Sequence, residues 1–446
     1  MLRSAFALAV AFTLATPAHA QKAKSFFPYP LQVTRLDNGL TLVRVPFSSP
    51  GLVAYYTVVR VGSRNEVEAG HSGFAHFFEH MMFKGTPTHP EGVREAALGK
   101  LGFNENAFTS DDVTVYHVAG PTSGLEKLIE LEADRFINLA YSEPTFQTEA
   151  KAVLGEYHKN AADPGLKIEE TLVATAFTKH PYGHTTLGYY EDIKKMPEYY
   201  EYSKEFFHRW YTPDNTFVFV VGELDGEKVI EWVKKHYGPW KGKAATVEIP
   251  HEPPQTQARS AQVQWETPTL PRHIHAWHTP ATAMATSDGA IQNVLAAYLT
   301  GPISPLHKEL VLEKQLAESV GSGFSEHRDP ALFSLAVTLK AENHRETVRA
   351  ALDRAIAELA KGKVDKNRVQ AVKDNLRYGL LMSLETPNEV ALQLAWYAGI
   401  LGAPNALDLH YRNIAQVTPE QLVAFAQKHL TEQNRTVLTF SAKEGK

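Results

Sequence analysis

The chain of 446 residues contains no cysteine and has no marked excess of either charge. Without cysteine, neither a disulfide nor a thiolate metal site can form, so any metal must be held by histidine and carboxylate side chains. The 45 basic and 50 acidic residues give a net charge of −5, which does not indicate nucleic-acid binding. No segment is long and apolar enough to span a membrane. The length and the 43% hydrophobic content permit two or three sizeable cores.

The first twenty residues have the features of a secretory signal peptide. Arg3 is the lone positive charge before an apolar run over residues 5–15, and Ala18-His19-Ala20 fits a cleavage site of small residues. A mitochondrial presequence is the competing interpretation, because this segment contains no acidic residue. Such presequences are amphipathic and rich in arginine, whereas this segment has a nearly uninterrupted apolar centre. We therefore expect export to a bacterial periplasm, with cleavage after Ala20.

The most informative stretch is His76-Phe77-Phe78-Glu79-His80, which has the pattern H-x-x-E-H. On a helix its three polar residues fall within an arc of roughly 100°, so they share one face. Two imidazoles on one face can hold one metal ion, and Glu79 beside them can handle protons. Two neutral nitrogens, a carboxylate from elsewhere and one open position describe a catalytic zinc site. This order of residues is the inverzincin signature.

The same pattern could also occur on a helix that merely carries two surface histidines and a charge. The neighbouring residues argue against that alternative, because they make the helix apolar nearly all round and therefore buried. These neighbours are Gly73, Phe74, Ala75, Phe77, Phe78, Met81, Met82 and Phe83. Polar groups on a buried helix need partners, since burying them unpaired is costly. A metal ion would meet that need.

Residues 73–86, GFAHFFEHMMFKGT, resemble the zinc helix of the pitrilysin, or insulinase, family of metallopeptidases. That family includes insulin-degrading enzyme and the mitochondrial processing peptidase. Residues 101–110, followed by Thr114 and Tyr116, and residues 180–188 are similar to further family signatures. The resemblance covers nearly all of the mature chain and is stronger before residue 225. The chain is similar to the short, two-domain bacterial type and to the β subunit of the processing peptidase.

The resemblance implies a set of site residues. The family's third zinc ligand is a glutamate on a second helix, and Glu156 stands there, 76 residues after His80. Glu149 lies seven residues before Glu156, two helical turns away on the same face, and the family uses such a glutamate to support the site. We therefore expect one Zn²⁺ per chain on His76, His80 and Glu156. Glu79 and Glu149 are the expected catalytic residues.

Within residues 101–110, the resemblance is to the edge strand on which the family binds its substrate. An extended peptide would add a strand there through main-chain hydrogen bonds, which read little of its side-chain sequence. The residues that the resemblance assigns to substrate binding are Asn104, Asn106, Ala107, Phe108 and Thr109. Peptides or unfolded polypeptides are the expected substrates.

The mature chain consists of two similar halves, residues 30–240 and residues 261–446, joined by a proline-containing linker over residues 241–260. A proline-started helix, an asparagine and a strand follow one another in both halves, over residues 196–220 and again over residues 417–440. The two asparagines, Asn215 and Asn434, lie 219 positions apart (434 − 215), about half the mature length. This internal repeat predicts an α+β fold of two tandem homologous α/β-sandwich domains, which is also the family architecture.

The second half lacks a metal motif, since residues 291–299 replace the zinc helix and contain no histidine. Family members place an arginine and a tyrosine in this half to stabilise the oxyanion of the tetrahedral intermediate. Here Val311 and Glu318 stand at those two positions. Some short family members are heterodimers in which one subunit brings zinc and the other brings this pair. We therefore expect a partner subunit, related to this chain but without the zinc motif, that supplies the Arg/Tyr pair.

The expected function is zinc-dependent hydrolysis of peptides by an endopeptidase. The alternative is a non-catalytic scaffold or binding subunit, as some relatives in respiratory complexes are. Those relatives have typically lost parts of the zinc motif, whereas this chain keeps all of it.

Overall fold

The computed structural model describes residues 25–443, so the predicted signal peptide lies outside the described residues. The strands of this range are β1 (Gln32–Arg35), β2 (Thr41–Pro46), β3 (Leu52–Val59), β4 (Asn104–Thr109), β5 (Thr114–Pro121), β6 (Thr216–Gly222), β7 (Arg259–Trp265), β8 (Arg272–Thr279), β9 (Ala317–Gly323), β10 (Ala331–Leu339) and β11 (Arg435–Ala442). Within the same residues, no helix has both the length and the apolar character needed to cross a membrane.

The helices lie on both faces of the sheets that these strands form. They are α1 (Phe74–Met81), α2 (Val93–Lys100), α3 (Leu125–Asn138), α4 (Glu143–Asn160), α5 (Pro164–Ala176), α6 (Tyr190–Lys195), α7 (Tyr200–Trp210), α8 (Gly226–Tyr237), α9 (Asp288–Thr300), α10 (Pro305–His307), α11 (Arg345–Ala360), α12 (Lys366–Met382), α13 (Pro387–Leu401), α14 (Ala406–Gln416) and α15 (Pro419–His429).

The two halves form two sheets with the same internal order. The first sheet runs β1-β2-β6-β3-β5-β4, and the second runs β7-β11-β8-β10-β9. Apart from the additional strand β1, the two orders correspond: β6 lies parallel to β2 and antiparallel to β3, just as β11 lies parallel to β7 and antiparallel to β8. This shared order confirms the predicted pair of homologous α/β domains. It also makes β4 and β9 the edge strands of their sheets.

The two repeat asparagines make equivalent hydrogen bonds. The Asn215 side-chain amide donates to the carbonyl of Trp210 at the end of α7 (2.9 Å), and that of Asn434 donates to the carbonyl of His429 at the end of α15 (2.7 Å). Each amide also donates to a carbonyl at the end of β3 or β8. The asparagine therefore connects the helix that precedes β6 or β11 to the end of β3 or β8, because buried backbone carbonyls need a donor.

Each sheet has one face covered by a helix of the other half. Helix α13 packs on β3 and β6, where Leu394 shares a buried cluster with Val58 and Phe219. Conversely, α5 packs on β7 and β11, where Ile168 shares a buried cluster with Leu438. Strand β6 is buried along its whole length for this reason, and its sequence TFVFVVG is an unbroken apolar run. The two halves therefore share cores.

The segment between the halves contains no helix or strand over residues 241–258. Strand β7 begins at Arg259, so it takes up the last two positions of the predicted linker. The three prolines of this segment explain its irregular conformation, because proline cannot donate a main-chain hydrogen bond.

Candidate metal centre

Helix α1 carries the H-x-x-E-H motif, and a buried glutamate holds its first turn. Gly73, in the left-handed region at φ 90°, leads into the helix. The Glu66 carboxylate accepts hydrogen bonds from the main-chain N–H groups of Gly73 and Ala75, both at 2.7 Å. Burial raises the pKa of Glu66 to about 8. Because the first N–H groups of a helix have no partner within it, Glu66 fixes the start of α1. Sequence reasoning missed this residue.

Helices α1 and α4 bring the three predicted zinc ligands together. Glu156 Oε2 lies 3.3 Å from His80 Nε2 and 3.7 Å from His76 Nε2. One ligand atom from each of the three side chains falls within 4.8 Å of the others. The edge-to-face contact of Phe77 on Phe146, with ring centroids 5.0 Å apart, packs the two helices together. Two imidazoles and a carboxylate converging on one point are a donor set that suits Zn²⁺.

The two histidines have opposite pKa shifts. Burial and the neighbouring His80 lower the pKa of His76 to about 4, so this imidazole is neutral near pH 7. Although burial lowers the pKa of His80, the hydrogen bond to Glu149 raises it overall. His80 Nδ1 lies 2.9 Å from Glu149 Oε1, so Nδ1–H donates to that carboxylate and Nε2 points toward Glu156. A carboxylate that orients a ligating imidazole in this way is usual in metal sites.

A lysine that sequence reasoning missed completes this chain of contacts. Lys84 Nζ lies 2.7 Å from Glu149 Oε2 and 2.8 Å from Glu91 Oε1. The hydrogen bond from His80, followed by that from Lys84, lowers the pKa of Glu149 to about 2. Glu149 therefore stays ionised between a ligand imidazole and an ammonium group. The four-residue spacing from His80 to Lys84 was the signal available in the sequence.

Glu79 faces the opposite side of the site, toward β4. The Thr109 hydroxyl donates a 2.7 Å hydrogen bond to Glu79 Oε2. Burial raises the pKa of Glu79, which makes its carboxylate a stronger base. A cleft of about 480 Å³ opens over these groups, lined by His76, Glu79, Glu156, Phe108 and Thr109 among others. The cleft leaves room for a substrate beside the proposed base.

The predicted substrate-binding residues lie on an edge strand. Strand β4 pairs with β5 on one side, and the residues that the structure describes place no strand on its other side. Asn104 and Asn106 are exposed, Ala107 is buried, and Phe108 and Thr109 line the cleft. A free strand edge that ends at the cleft can accept an extended peptide.

The described residues of the second half place no cationic group in the lining of this cleft. Val311 packs against the core of the second half, and Glu318 is exposed on β9. Among the described residues that line the cleft, none is an arginine, a lysine or a tyrosine. The positions where family members carry the Arg/Tyr pair therefore give no oxyanion donor here.

The chain is similar to known peptidases over nearly its whole length. The model described as "Insulinase (Peptidase family M16)" matches residues 51–189, and "Peptidase M16 inactive domain" matches residues 200–376. The zinc protease PqqE of Helicobacter pylori is 29% identical over 436 residues, which cover 96% of this chain and 95% of that protein. The mitochondrial-processing peptidase subunit beta of Saccharomyces cerevisiae is 23% identical, with 91% and 89% covered.

Solved structures give the same result. A protease from Helicobacter pylori superposes with a TM-score of 0.83 at 27% identity, covering 93% of this chain and all of that one. An M16-like peptidase from Alicyclobacillus acidocaldarius shares the fold with a TM-score of 0.82 at 19% identity, covering 94% of this chain and 99% of that one. The two family models together span most of the chain, and both halves have the M16 fold. The chain therefore belongs to the insulinase family of peptidases, family M16.

Proposed function

We propose that this chain is a zinc-dependent endopeptidase that hydrolyses peptides or unfolded polypeptides. The observation that carries the proposal is the convergence of His76, His80 and Glu156 on one point beside Glu79. Residues 30–240 form the zinc-binding domain in this proposal, and residues 261–446 form a homologous domain without a metal. The mature chain acts in the periplasm after cleavage behind Ala20.

The donor set fits one zinc ion, because two imidazoles and a carboxylate leave a fourth position open. When bound, the zinc supplies Lewis-acid polarisation of the attacking water and of the substrate carbonyl. Glu79 takes the proton of that water and later passes it to the leaving amine. Glu149 holds the His80 ring in the orientation that points Nε2 toward Glu156.

The substrate lies along β4 in this proposal. The free edge of β4 offers main-chain donors and acceptors to an extended peptide. Phe108 and Thr109, at the end of the strand, lie beside the cleft, so the peptide bond that follows this contact reaches Glu79. Selection of side chains is expected to be loose, since main-chain hydrogen bonding ignores most of the sequence.

The oxyanion donors are proposed to come from a second subunit. The described lining of the cleft offers no arginine, lysine or tyrosine, and an exposed carboxylate, Glu318, stands where the family has tyrosine. An oxyanion needs hydrogen-bond donors or positive charge. A related chain that lacks H-x-x-E-H and carries the Arg/Tyr pair would provide them across a shared cavity.

The test is hydrolysis of internally quenched peptides by the purified mature chain, alone and titrated with such a related subunit. We expect slow cleavage by the chain alone and a gain of roughly 10²–10³ in rate with the partner, the range attributed to one oxyanion donor. Full activity of the chain alone would refute the heterodimer. Absence of cleavage with the partner and with zinc present would refute the peptidase and leave a scaffold role.

A further inference from the structure

The loop between β9 and β10 reaches from the second half to the turn between β4 and β5. His327 Nε2 lies 3.0 Å from Asp111 Oδ2. The next residue, Arg328, donates its main-chain N–H to Asp112 Oδ2 at 3.1 Å. Both aspartates belong to the short turn that follows the substrate strand. The second half, which has no metal motif, therefore binds the turn between β4 and β5, next to the strand that borders the cleft.

The His327 ring is doubly protonated in this arrangement. Its Nδ1 lies 2.9 Å from the Ser325 carbonyl oxygen, while Nε2 faces Asp111. Both neighbours accept hydrogen bonds, so both ring nitrogens must donate, which only the imidazolium form can do. Although burial lowers the pKa of His327, Asp111 raises it to about 9. The contact with Asp111 is therefore a charge-assisted hydrogen bond.

A second anchor stands beside the first. Asp329 Oδ2 lies 2.5 Å from Arg64 Nε and 3.0 Å from His180 Nε2, and both partners belong to the first half. The Tyr182 hydroxyl donates to Asp112 Oδ1 at 2.8 Å, and Asp112 is 1% exposed. Buried ionic groups of this kind are costly to leave unpaired. The loop is therefore held to the first half at two points.

The turn that the loop grips is directly connected to Glu79. Asp111 follows Thr109 by two residues, and the main-chain N–H of Ser110 donates to the Val113 carbonyl at 2.8 Å, which closes the turn tightly. At the other side of this short connection, the Thr109 hydroxyl holds the Glu79 carboxylate. A displacement of the turn would therefore move both the substrate strand and the partner of the proposed base.

We propose that His327 is a positioning residue, and that the loop between β9 and β10 holds β4 at a fixed position relative to Glu79. We call this contact the clamp. This gives the half without metal ligands a role in the reaction although it places no reacting group in the cleft. The inference rests on the proposed peptidase function. The competing account is an interface that only holds the two halves together.

The test compares His327→Gln with His344→Gln as a matched control. The His344 ring bonds the Leu316 carbonyl at 3.0 Å inside the second half, away from the first. We expect His327→Gln to speed amide hydrogen exchange in residues 104–113 of the metal-free chain about tenfold relative to the control. In the zinc-loaded enzyme with its partner, KM should rise by about ten-fold at unchanged zinc content, because small misplacements at an active site are costly. Asp111→Asn serves if His327→Gln does not fold.

Unchanged exchange in residues 104–113 of the metal-free chain would overturn the clamp, whatever the change in KM and even if the melting temperature fell. Hydrogen exchange in the metal-free chain does not depend on catalysis, so this measurement tests the clamp independently of the proposed function. Hydrolysis by the unaltered enzyme decides the proposed function. Faster exchange combined with no hydrolysis in any sample would support the clamp on β4 and refute the peptidase.

Discussion

Two glutamates that lie close to the histidine pair have opposite environments. Burial raises the pKa of Glu79, whereas hydrogen bonds from His80 and Lys84 lower the pKa of Glu149 to about 2. Carboxylates whose pKa values are pushed apart in one site take different roles. Glu79 has the character of a proton acceptor, and Glu149 that of a permanently ionised support. The sequence and the family resemblance predicted both residues in these two roles, and the opposite pKa shifts give a physical reason for the difference.

Replacement of Glu79 by glutamine is expected to leave the zinc in place and to lower kcat by about 10²-fold or more, the scale of a general base. Glutamine keeps the hydrogen bond with Thr109 but cannot accept the proton of the water. The measurement is kcat together with zinc content by elemental analysis. Turnover at the normal rate would mean that another residue is the base.

Replacement of Lys84 by methionine should weaken zinc binding by about 10–100-fold, since groups that orient ligands typically contribute that much. Without the ammonium group, Glu149 loses the partner that holds it toward His80. Competition with a chelator measures the zinc affinity. Glu91→Gln is the control, because Glu91 contacts Lys84 from the exposed side. Equal affinities of Lys84→Met and the unaltered chain would rule out this role.

At the scale of elements, α1, α4 and β4 could be predicted from the sequence. The packing of α5 and α13, each on the sheet of the other half, could not. Helix α13 is apolar nearly all round, and such a pattern indicates burial without naming the surface that covers it. Gly399 shows how closely α13 approaches the first sheet. A Cβ atom there would lie 2.7 Å from Val113 Cγ1 and 3.0 Å from Val58 Cγ1.

Gly399→Ala is therefore expected to lower the free energy of unfolding by about 1–3 kcal/mol, the usual cost of overpacking. Gly379→Ala is the matched control in α12, where nothing lies within 4 Å of the added Cβ. That change should be neutral or stabilise the protein by up to about 1 kcal/mol, because glycine is unfavourable inside a helix. Urea unfolding measures both. The same effect of the two substitutions would contradict the packing of α13 on the first sheet.

At the scale of the whole molecule, buried histidines contribute to the pH dependence of stability in both directions. His273 and His275 are 1% and 0% exposed, and burial lowers their pKa values to about 4 and about 2. Unfolding restores a value of about 6.5, so the unfolded chain binds more protons below that pH and stability falls with falling pH. The contribution of His327 to stability changes with pH in the opposite direction. Its pKa of about 9 lies above the unfolded value, so its contribution is full below pH ~6.5 and is lost as the pH rises to about 9.

The contributions of these three histidines are together greatest near pH ~6.5. The free energy of unfolding in urea, measured from pH 4 to pH 10, is expected to decrease on both sides of that value. In His327→Gln the decrease on the alkaline side should become shallower, while the acid side stays the same. An unaltered alkaline slope in that variant would show that His327 is not charged in the folded chain.

The spacing of His76 and His80 within one helix turn predicted the histidine pair. Glu156 and Glu149 were predicted from the resemblance to the family, and the tandem repeat from similar segments around Asn215 and Asn434. The sequence did not predict the contact of His327 with Asp111, since the two residues are ordinary polar positions separated by 216 residues. Contacts at such separation depend on how the halves pack, which no periodicity within one element specifies.

The central claim is that His76, His80 and Glu156 hold one zinc ion. Elemental analysis of the dialysed, folded chain and of its His80→Ala variant tests it most directly. We expect one zinc per unaltered chain and none in the variant, because two ligands at an exposed cleft do not retain the ion. Full zinc in folded His80→Ala, or none in the folded unaltered chain after incubation with zinc, would contradict the assignment.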